Sequence, residues 1–300
     1  MKTKKFKSGF VAVVGKPNVG KSSLINALVG EKVAITSPKP QTTRNKILGI
    51  VNKPDFQMIF VDTPGEYNAK SKLAQFMQKS IGVAQEGVDA IAIVLDAGRI
   101  NQADFKIIER YKSATVPVFV IINKIDLASF EALYPTLARL NEYTFVKEFI
   151  SVSALKKKNI DAVLDKISAV LPEGQPLFDV DDYTDKSVRF MTAEIIREKV
   201  LLFVQQEIPH FCAVEIMDFK EDDKKVKIAA DIICENDRHK TIIVGKNGEM
   251  IKKIGTSARQ DIEKLVGKTV FLELFVKIRE GWQSNSSVLA DLGYDIDTLK

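Results

Sequence analysis

The sequence predicts an α/β domain built on a mostly parallel sheet with helices on both faces, followed by a smaller α+β domain. Three observations carry this expectation. From Phe10 to about Leu171, short β-branched runs alternate with amphipathic helical patterns, as in strands joined by helical crossovers. The segment Leu171 to Asp185, with two prolines, one glycine and four aspartates, then breaks that rhythm like a linker or strap. After it the pattern changes to a helix, two strands, two helices and a last strand. The predicted division is a basic tail over 1–9, a first domain over 10–171, a linker over 172–187, a second domain over 188–284 and a tail over 285–300.

The strand-like runs of the first domain are Phe10 to Val14, Ile47 to Val51, Met58 to Val61, Ala90 to Leu95, Val116 to Ile122 and Phe149 to Ser151. Its last helix shows Ile160, Val163, Leu164, Ile167 and Val170 on one face, and Pro172 and Gly174 stop it. In the second domain Ile195, Ile196, Val200, Leu201 and Val204 mark a long amphipathic helix. Alternating strands follow at Val214 to Phe219 and Val226 to Ile233, joined by the charged turn Glu221 to Lys225. Two shorter helices flank Gly245 to Gly248, and a final strand runs from Val270 to Ile278.

Composition narrows the chemistry. At 300 residues, 45% hydrophobic and 28% charged, the chain is long enough for two cored globular domains. Two cysteines, Cys212 and Cys234, sit in apolar alternating stretches, which excludes a disulfide framework and leaves core thiols in a reducing compartment. Two histidines argue against a zinc site or a His-based triad, and no redox or metal-sulfur cofactor is expected. The Lys2, Lys4, Lys5, Lys7 cluster precedes an apolar run that Lys16 and Pro17 soon interrupt, too short for a signal peptide. A cytoplasmic protein is therefore expected.

Between the first strand and first helix stands Gly15-Lys16-Pro17-Asn18-Val19-Gly20-Lys21-Ser22, followed by Ser23. Gly15 and Gly20 permit left-handed backbone, so that successive N–H groups turn toward an anion, and the next helix adds its positive dipole end. Lys21 would reach the β/γ-phosphates, and the Ser22 hydroxyl would ligate Mg²⁺. At later strand ends stand Asp62-Thr63-Pro64-Gly65, Asn123-Lys124-Ile125-Asp126 and Ser153-Ala154. A carboxylate at Asp62 can hold Mg²⁺ through water, and the Gly65 N–H can meet a γ-phosphate. Asp126 accepts hydrogen bonds only, so it pairs with guanine's two edge donors and meets an acceptor in adenine. A backbone N–H near Ser153 and Ala154 would add a contact to the guanine oxygen. GTP or GDP is the expected ligand, and ATP is disfavoured.

In the order and placement of these motifs the chain resembles the translation-factor-related, P-loop GTPases. The resemblance implies that Pro40-Gln41-Thr42-Thr43-Arg44 is a switch segment, with Thr43 the second Mg²⁺ ligand and Thr42 the fallback. It also implies Asn18 as a potassium ligand. Ras-like relatives carry a water-orienting glutamine where this chain has Glu66, a carboxylate that a γ-phosphate would repel. Glu66 is expected to point away, and intrinsic GTP hydrolysis to run at about 10⁻⁴ to 10⁻² s⁻¹.

In the second domain, Gly245-Lys246-Asn247-Gly248 lies between apolar residues, with Ile251, Lys252, Lys253 and Arg259 following. Glycines at this spacing allow a tight helix-to-helix turn that a nucleic-acid backbone can approach. From 238 to 259 six basic residues face only Glu249, although 188–300 carries 18 Lys/Arg against 19 Asp/Glu. The positive charge is focused on the loop and its helix. This domain resembles the prokaryotic, type II KH fold, with Asn247 where glycine is usual. The pairing of the two domains, with Ala193 to Lys199, Lys252 to Gly255, Trp282 and Asp291 to Tyr294, resembles a bacterial GTPase family. That family binds the 3′ region of small-subunit (16S) ribosomal RNA and assists assembly of the small ribosomal subunit. A monomer is also expected, with peripheral contact at the inner membrane through the basic N-terminal tail. Two rival expectations are a membrane-associated regulatory GTPase acting through a protein partner and an RNA chaperone that has lost turnover.

Overall fold

The computed structural model describes residues 5–39, 42–64, 71–83, 86–205 and 208–294. The chain separates into two compact units, one of 1–36, 43–67 and 80–185, the other of 37–42, 68–79 and 186–300.

The first unit is a six-stranded sheet. β1 (Lys7–Val14) lies between β3 (Phe56–Asp62) and β4 (Ala90–Asp96), and β5 (Val118–Asn123) and β6 (Val146–Ser151) extend the sheet beyond β4. These pairs are parallel, while β2 (Ile47–Lys53) runs antiparallel to β3 at the edge. The central strands are buried along their whole length, as parallel strands covered on both faces must be. One cluster packs Leu24, Ile25 and Leu28 of α1 (Lys21–Val29) and Ile160, Val163 and Ile167 of α5 (Ile160–Ser168) on one sheet face. On the opposite face lie Phe105 and Ile108 of α3 (Gln102–Arg110) and Leu133 and Leu140 of α4 (Phe130–Leu140). The chain order reverses at β1, so the carboxyl ends of β1, β3 and β5 open on a topological switch point.

Two boundaries differ from the sequence-based division. β1 begins at Lys7 rather than Phe10, because Lys7, Ser8 and Gly9 pair with Phe56, Gln57 and Met58. The segment read as a linker or strap between domains belongs to the first unit. Gln57 Nε2 donates to the Phe178 carbonyl at 2.8 Å and its Oε1 accepts from the Leu177 and Phe178 amides, while the Ile50 amide donates to the Tyr183 carbonyl.

The second unit is built in the order α6 (Val188–Phe203), β7 (Ala213–Glu221), β8 (Lys225–Cys234), α7 (Asp237–Val244), α8 (Glu249–Val266), β9 (Thr269–Ile278). β7 and β8 are antiparallel, and β9 joins β8 in parallel, the topology of a type II KH domain. Ser187 caps α6 by accepting from the Phe190 amide, and Asn236 caps α7 by accepting from the His239 amide. Cys212 and Cys234 are both buried, the Cys212 thiol donating to the Ile208 carbonyl. Residues 285–294, read as the start of a C-terminal tail, pack against the unit. α9 (Ser286–Asp291) is capped by Asn285, and Leu289 and Tyr294 join Trp282 against Leu73, Phe76 and Met77 of α2 (Lys72–Val83). Trp282 is fully buried, and its Nε1 donates to the Phe211 carbonyl at 3.2 Å. Among the described residues no helix is long and apolar enough to cross a membrane.

Trp282→Ala removes the largest buried side chain of the second unit and should cost about 3–5 kcal/mol of its stability. Calorimetric unfolding measures this, and a loss below about 1 kcal/mol would contradict the packing described.

Candidate nucleotide site and nucleic-acid groove

The glycine-rich turn is shaped by positive φ at Gly15 (147°), Asn18 (64°) and Gly20 (96°). A Cβ on Gly20 would lie 2.4 Å from Asn123 Nδ2, so glycine also lets the turn meet the end of β5. There the Asn123 amide donates to the Val19 carbonyl at 3.0 Å and its oxygen accepts from the Ala154 N–H at 3.1 Å. One side chain thus ties the phosphate turn, β5 and the loop after β6 together. Lys124, itself at φ 64°, donates to the Asn18 carbonyl at 2.6 Å and pairs with Asp96 at 2.7 Å. Lys16 is turned away, onto Asp104 at 2.6 Å.

At the ends of α1 and β3, three oxygens converge. Ser22 Oγ donates to Asp62 Oδ2 at 2.7 Å, and Thr43 Oγ1 lies 2.9 Å from Ser22 Oγ and 3.4 Å from Asp62 Oδ2. Asp62 is completely buried and its Oδ1 has no hydrogen-bond partner. Burial pushes its carboxyl above the usual range, against the pull of Ser22, Lys21 and Thr43. Two hydroxyls and one buried carboxylate oxygen with spare acceptor capacity fit a hard, oxygen-seeking cation such as Mg²⁺. Lys21 is buried beside them, its Nζ donating to the Gly15 and Lys16 carbonyls at 2.9 and 3.0 Å. Thr63 turns inward instead and donates to the Val13 carbonyl at 3.1 Å, which makes it a link between β3 and β1. Gly65 and Glu66 lie outside the described residues, as do Pro40 and Gln41.

Asp126 sits on a short 3-10 turn, Ile125–Leu127, and accepts from the buried Ser153 hydroxyl at 2.5 Å. That bond holds an exposed carboxylate in one orientation while leaving acceptor capacity for a ligand's donors. Leu127 and Leu155 are largely exposed beside Asp126 and Ala154, and of the two Leu127 was not singled out by motif reading.

In the second unit Gly245 (φ 75°), Asn247 (φ 51°) and Gly248 (φ 78°) form the turn between α7 and α8. A Cβ on Gly245 would sit 2.6 Å from that of Met250. Asparagine tolerates the left-handed region better than other non-glycine residues, so Asn247 keeps the turn that a glycine would make. Beside it lies a groove of about 300 Å³ lined by Ile251, Lys252, Gly255, Arg259, Leu272 and Leu274. The two leucines of β9 were not foreseen, although their two-residue spacing places them on one sheet face. Lys253 does not line this groove. Its ammonium lies 4.5 Å from the Phe203 ring, in a second cavity of about 400 Å³ that shares Lys252 and Thr256 with the groove.

Two family models match the chain, one described as "50S ribosome-binding GTPase" over residues 10–124 and one as "KH domain" over 207–283. The GTPase Era of Thermoanaerobacter sp. (strain X514) is 48% identical over 97% of both chains. That of Clostridium acetobutylicum is 46% identical over 96% of this chain and 98% of its own. Among solved structures, an alanine variant of Aquifex aeolicus Era bound to GDP·AlF4⁻ superposes with a TM-score of 0.91 at 38% identity, over 97% of this chain and all of that one. Era in complex with MgGDPNP and nucleotides 1506–1542 of 16S ribosomal RNA gives the same TM-score at 39% identity, over 97% and 99%.

Asp126→Asn replaces an acceptor oxygen with a donor amide and should weaken GTP binding by about 10³ to 10⁴ without changing thermal stability. Titration with a fluorescent GTP analogue measures it. Gly20→Ala should abolish tight nucleotide binding in a folded protein, since the added methyl collides with Asn123; full affinity would show that the turn yields. The convergence of Ser22 and Thr43 on Asp62, the Asn123-to-Asp126 motif at the end of β5, the KH groove and identity along nearly the whole length lead to one assignment. The chain is a GTPase and belongs to the Era family.

Proposed function

We propose that this GTPase is a GTP-dependent RNA-binding switch whose groove takes the single-stranded 3′ region of small-subunit ribosomal RNA, in support of small-subunit assembly. The observation that carries it is the meeting of Ser22, Thr43 and Asp62 at one point, in a chain that also holds a basic, apolar-walled groove. Backbone N–H groups of residues 15–22 hold the phosphates, and the α1 dipole favours their charge. Lys21, desolvated among carbonyls, supplies the positive charge facing the β/γ-phosphates. Ser22, Thr43 and Asp62 hold Mg²⁺, Asp62 through water, and the bound ion offsets charge on the phosphate oxygens. Thr43 is a ligand only when its segment is in place, so its order reports the γ-phosphate. Asn18 is the proposed potassium ligand, its carbonyl already engaged by Lys124.

Bases enter the groove against Ile251, Leu272 and Leu274, while Lys252 and Arg259 meet the backbone. Intrinsic turnover is slow, on the order of 10⁻⁴ to 10⁻² s⁻¹, in keeping with a carboxylate at Glu66. The proposal extends to a monomer that works in the cytoplasm, with peripheral contact at the inner membrane through its basic N-terminus.

Phosphate release in potassium buffer, with and without a single-stranded copy of the small-subunit RNA 3′ end, tests the proposal. RNA should stimulate turnover, Lys252→Ala/Arg259→Ala should abolish the stimulation, and Lys253→Ala should retain most of it. Turnover indifferent to the RNA would favour a protein or membrane partner instead.

A further inference from the structure

The cations on α8 fall into two kinds. Arg259 pairs with Glu263 at 2.8 Å, and Lys264 pairs with Asp261 at 3.1 Å. Lys252 and Lys253 are exposed, and among the described residues neither has an acidic partner. Lys253 rests instead over the Phe203 ring, its ammonium 4.5 Å from the ring centre. A cation on an aromatic face at an exposed site is held weakly, so this ammonium is available to an anion.

The Phe203 ring is half-buried at the end of α6, and between it and α8 lies the cavity of about 400 Å³. Glu249, Lys253, Thr256 and Gln260 follow one another along one stripe of α8, with Ser257 beside them. The lining is mostly apolar, and its neutral polar groups, two hydroxyls and an amide, can both donate and accept. Thr256 Oγ1 donates to the Lys252 carbonyl at 2.9 Å, which leaves its oxygen as an acceptor. An aromatic plate, neutral groups for a base edge and two ammonium groups for a phosphate are what a single-stranded nucleic acid needs at one nucleotide. The cavity also shares Lys252 and Thr256 with the groove, so a chain lying in the groove passes directly into it.

We infer that this cavity is a further nucleotide subsite: the base next to the RNA segment in the groove stacks on Phe203, and Lys252 and Lys253 hold the phosphate between the two positions. An acidic peptide would satisfy the lysines but leave the ring and the neutral groups unused. Glu249 at the edge accepts from a base amino group and repels a second phosphate, which limits the subsite to one base. The inference rests on the groove being an RNA site.

The test is RNA length dependence on the full chain. A KH fold clamps about four nucleotides, so the reference ligand is the tightest-binding tetranucleotide of the small-subunit RNA 3′ end. It is compared with the same RNA extended by one or two nucleotides at its 5′ or its 3′ end. One of the two extensions should bind about tenfold more tightly, the gain expected of one base on an aromatic ring, and an abasic extension should gain at most about twofold. Phe203→Leu keeps apolar volume against the core and should erase the gain while holding tetranucleotide affinity within about twofold; Phe203→Trp should retain the gain. No gain from either extension, an equal gain from the abasic one, or a gain that survives in Phe203→Leu overturns the inference. Should Phe203→Leu fail to fold, Lys253→Glu, an exposed change, takes its place; cancellation of the gain supports the inference and an undiminished gain overturns it. Lys252→Ala/Arg259→Ala separates the two readings. If it binds the tetranucleotide as well as the unaltered protein does, the groove reading fails and this inference with it; if it loses the tetranucleotide while extension gains nothing, only the second subsite fails.

Discussion

The Asp62 carboxylate, completely buried at the end of β3 with only hydroxyls on one oxygen and nothing on the other, is the constraint around which the first unit is organised. Burying a carboxylate costs several kcal/mol unless a cation or donors compensate. The fold therefore brings three separate segments to that oxygen: Ser22 from the start of α1, Thr43 from the loop before β2, and Asp62 itself. The parallel pairing of β1 with β3, ending at Val13 opposite Asp62, brings the turn after β1 alongside. Thr63 pins the same two strands by its bond to Val13. Lys21 and the inward N–H groups then find their place because the turn is closed by Gly20 against Asn123.

In the second unit, α8 has two working sides. One side, with Ile251, Lys252, Gly255 and Arg259, makes a groove with the leucines of β9. Another, with Lys253 and Gln260, faces Phe203. A third set of residues, Ile254, Ala258 and Ile262, is fully buried and anchors the helix to the core. A Cβ on Gly255 would lie 3.4 Å from Leu274 Cδ1, an ordinary contact across the groove. Asn247 preserves the tight entry to α8 without the usual glycine, at the small conformational cost that asparagine bears in the left-handed region.

The strands described were legible because nearly all are continuous or alternating apolar runs, and their observed ends move by at most a few residues. The extra length of β1 was not, since Lys7 and Ser8 have no strand signature and join only because Phe56 and Gln57 lie opposite. The strap over 172–185 read as a linker for the same reason: its polar, proline-containing sequence is held by Gln57 and the edge of β2, partners far away in the chain. The glycine-rich turn and the Asn123-to-Asp126 motif lie where the sequence placed them, at the ends of β1 and β5. Lys253 was grouped with Lys252 by charge; Lys252 lines both cavities beside α8, whereas Lys253 lines the one at Phe203.

Coupling between nucleotide and RNA is the claim on which this account stands, and thermodynamic linkage makes it measurable from both directions. The most direct measurement is the affinity of the small-subunit RNA 3′ end for the protein saturated with Mg²⁺ and a GTP analogue, compared with Mg²⁺ and GDP. The account predicts tighter RNA binding in the analogue state, with the RNA tightening the analogue over GDP by that same factor. Equal RNA affinity in the two states would contradict it.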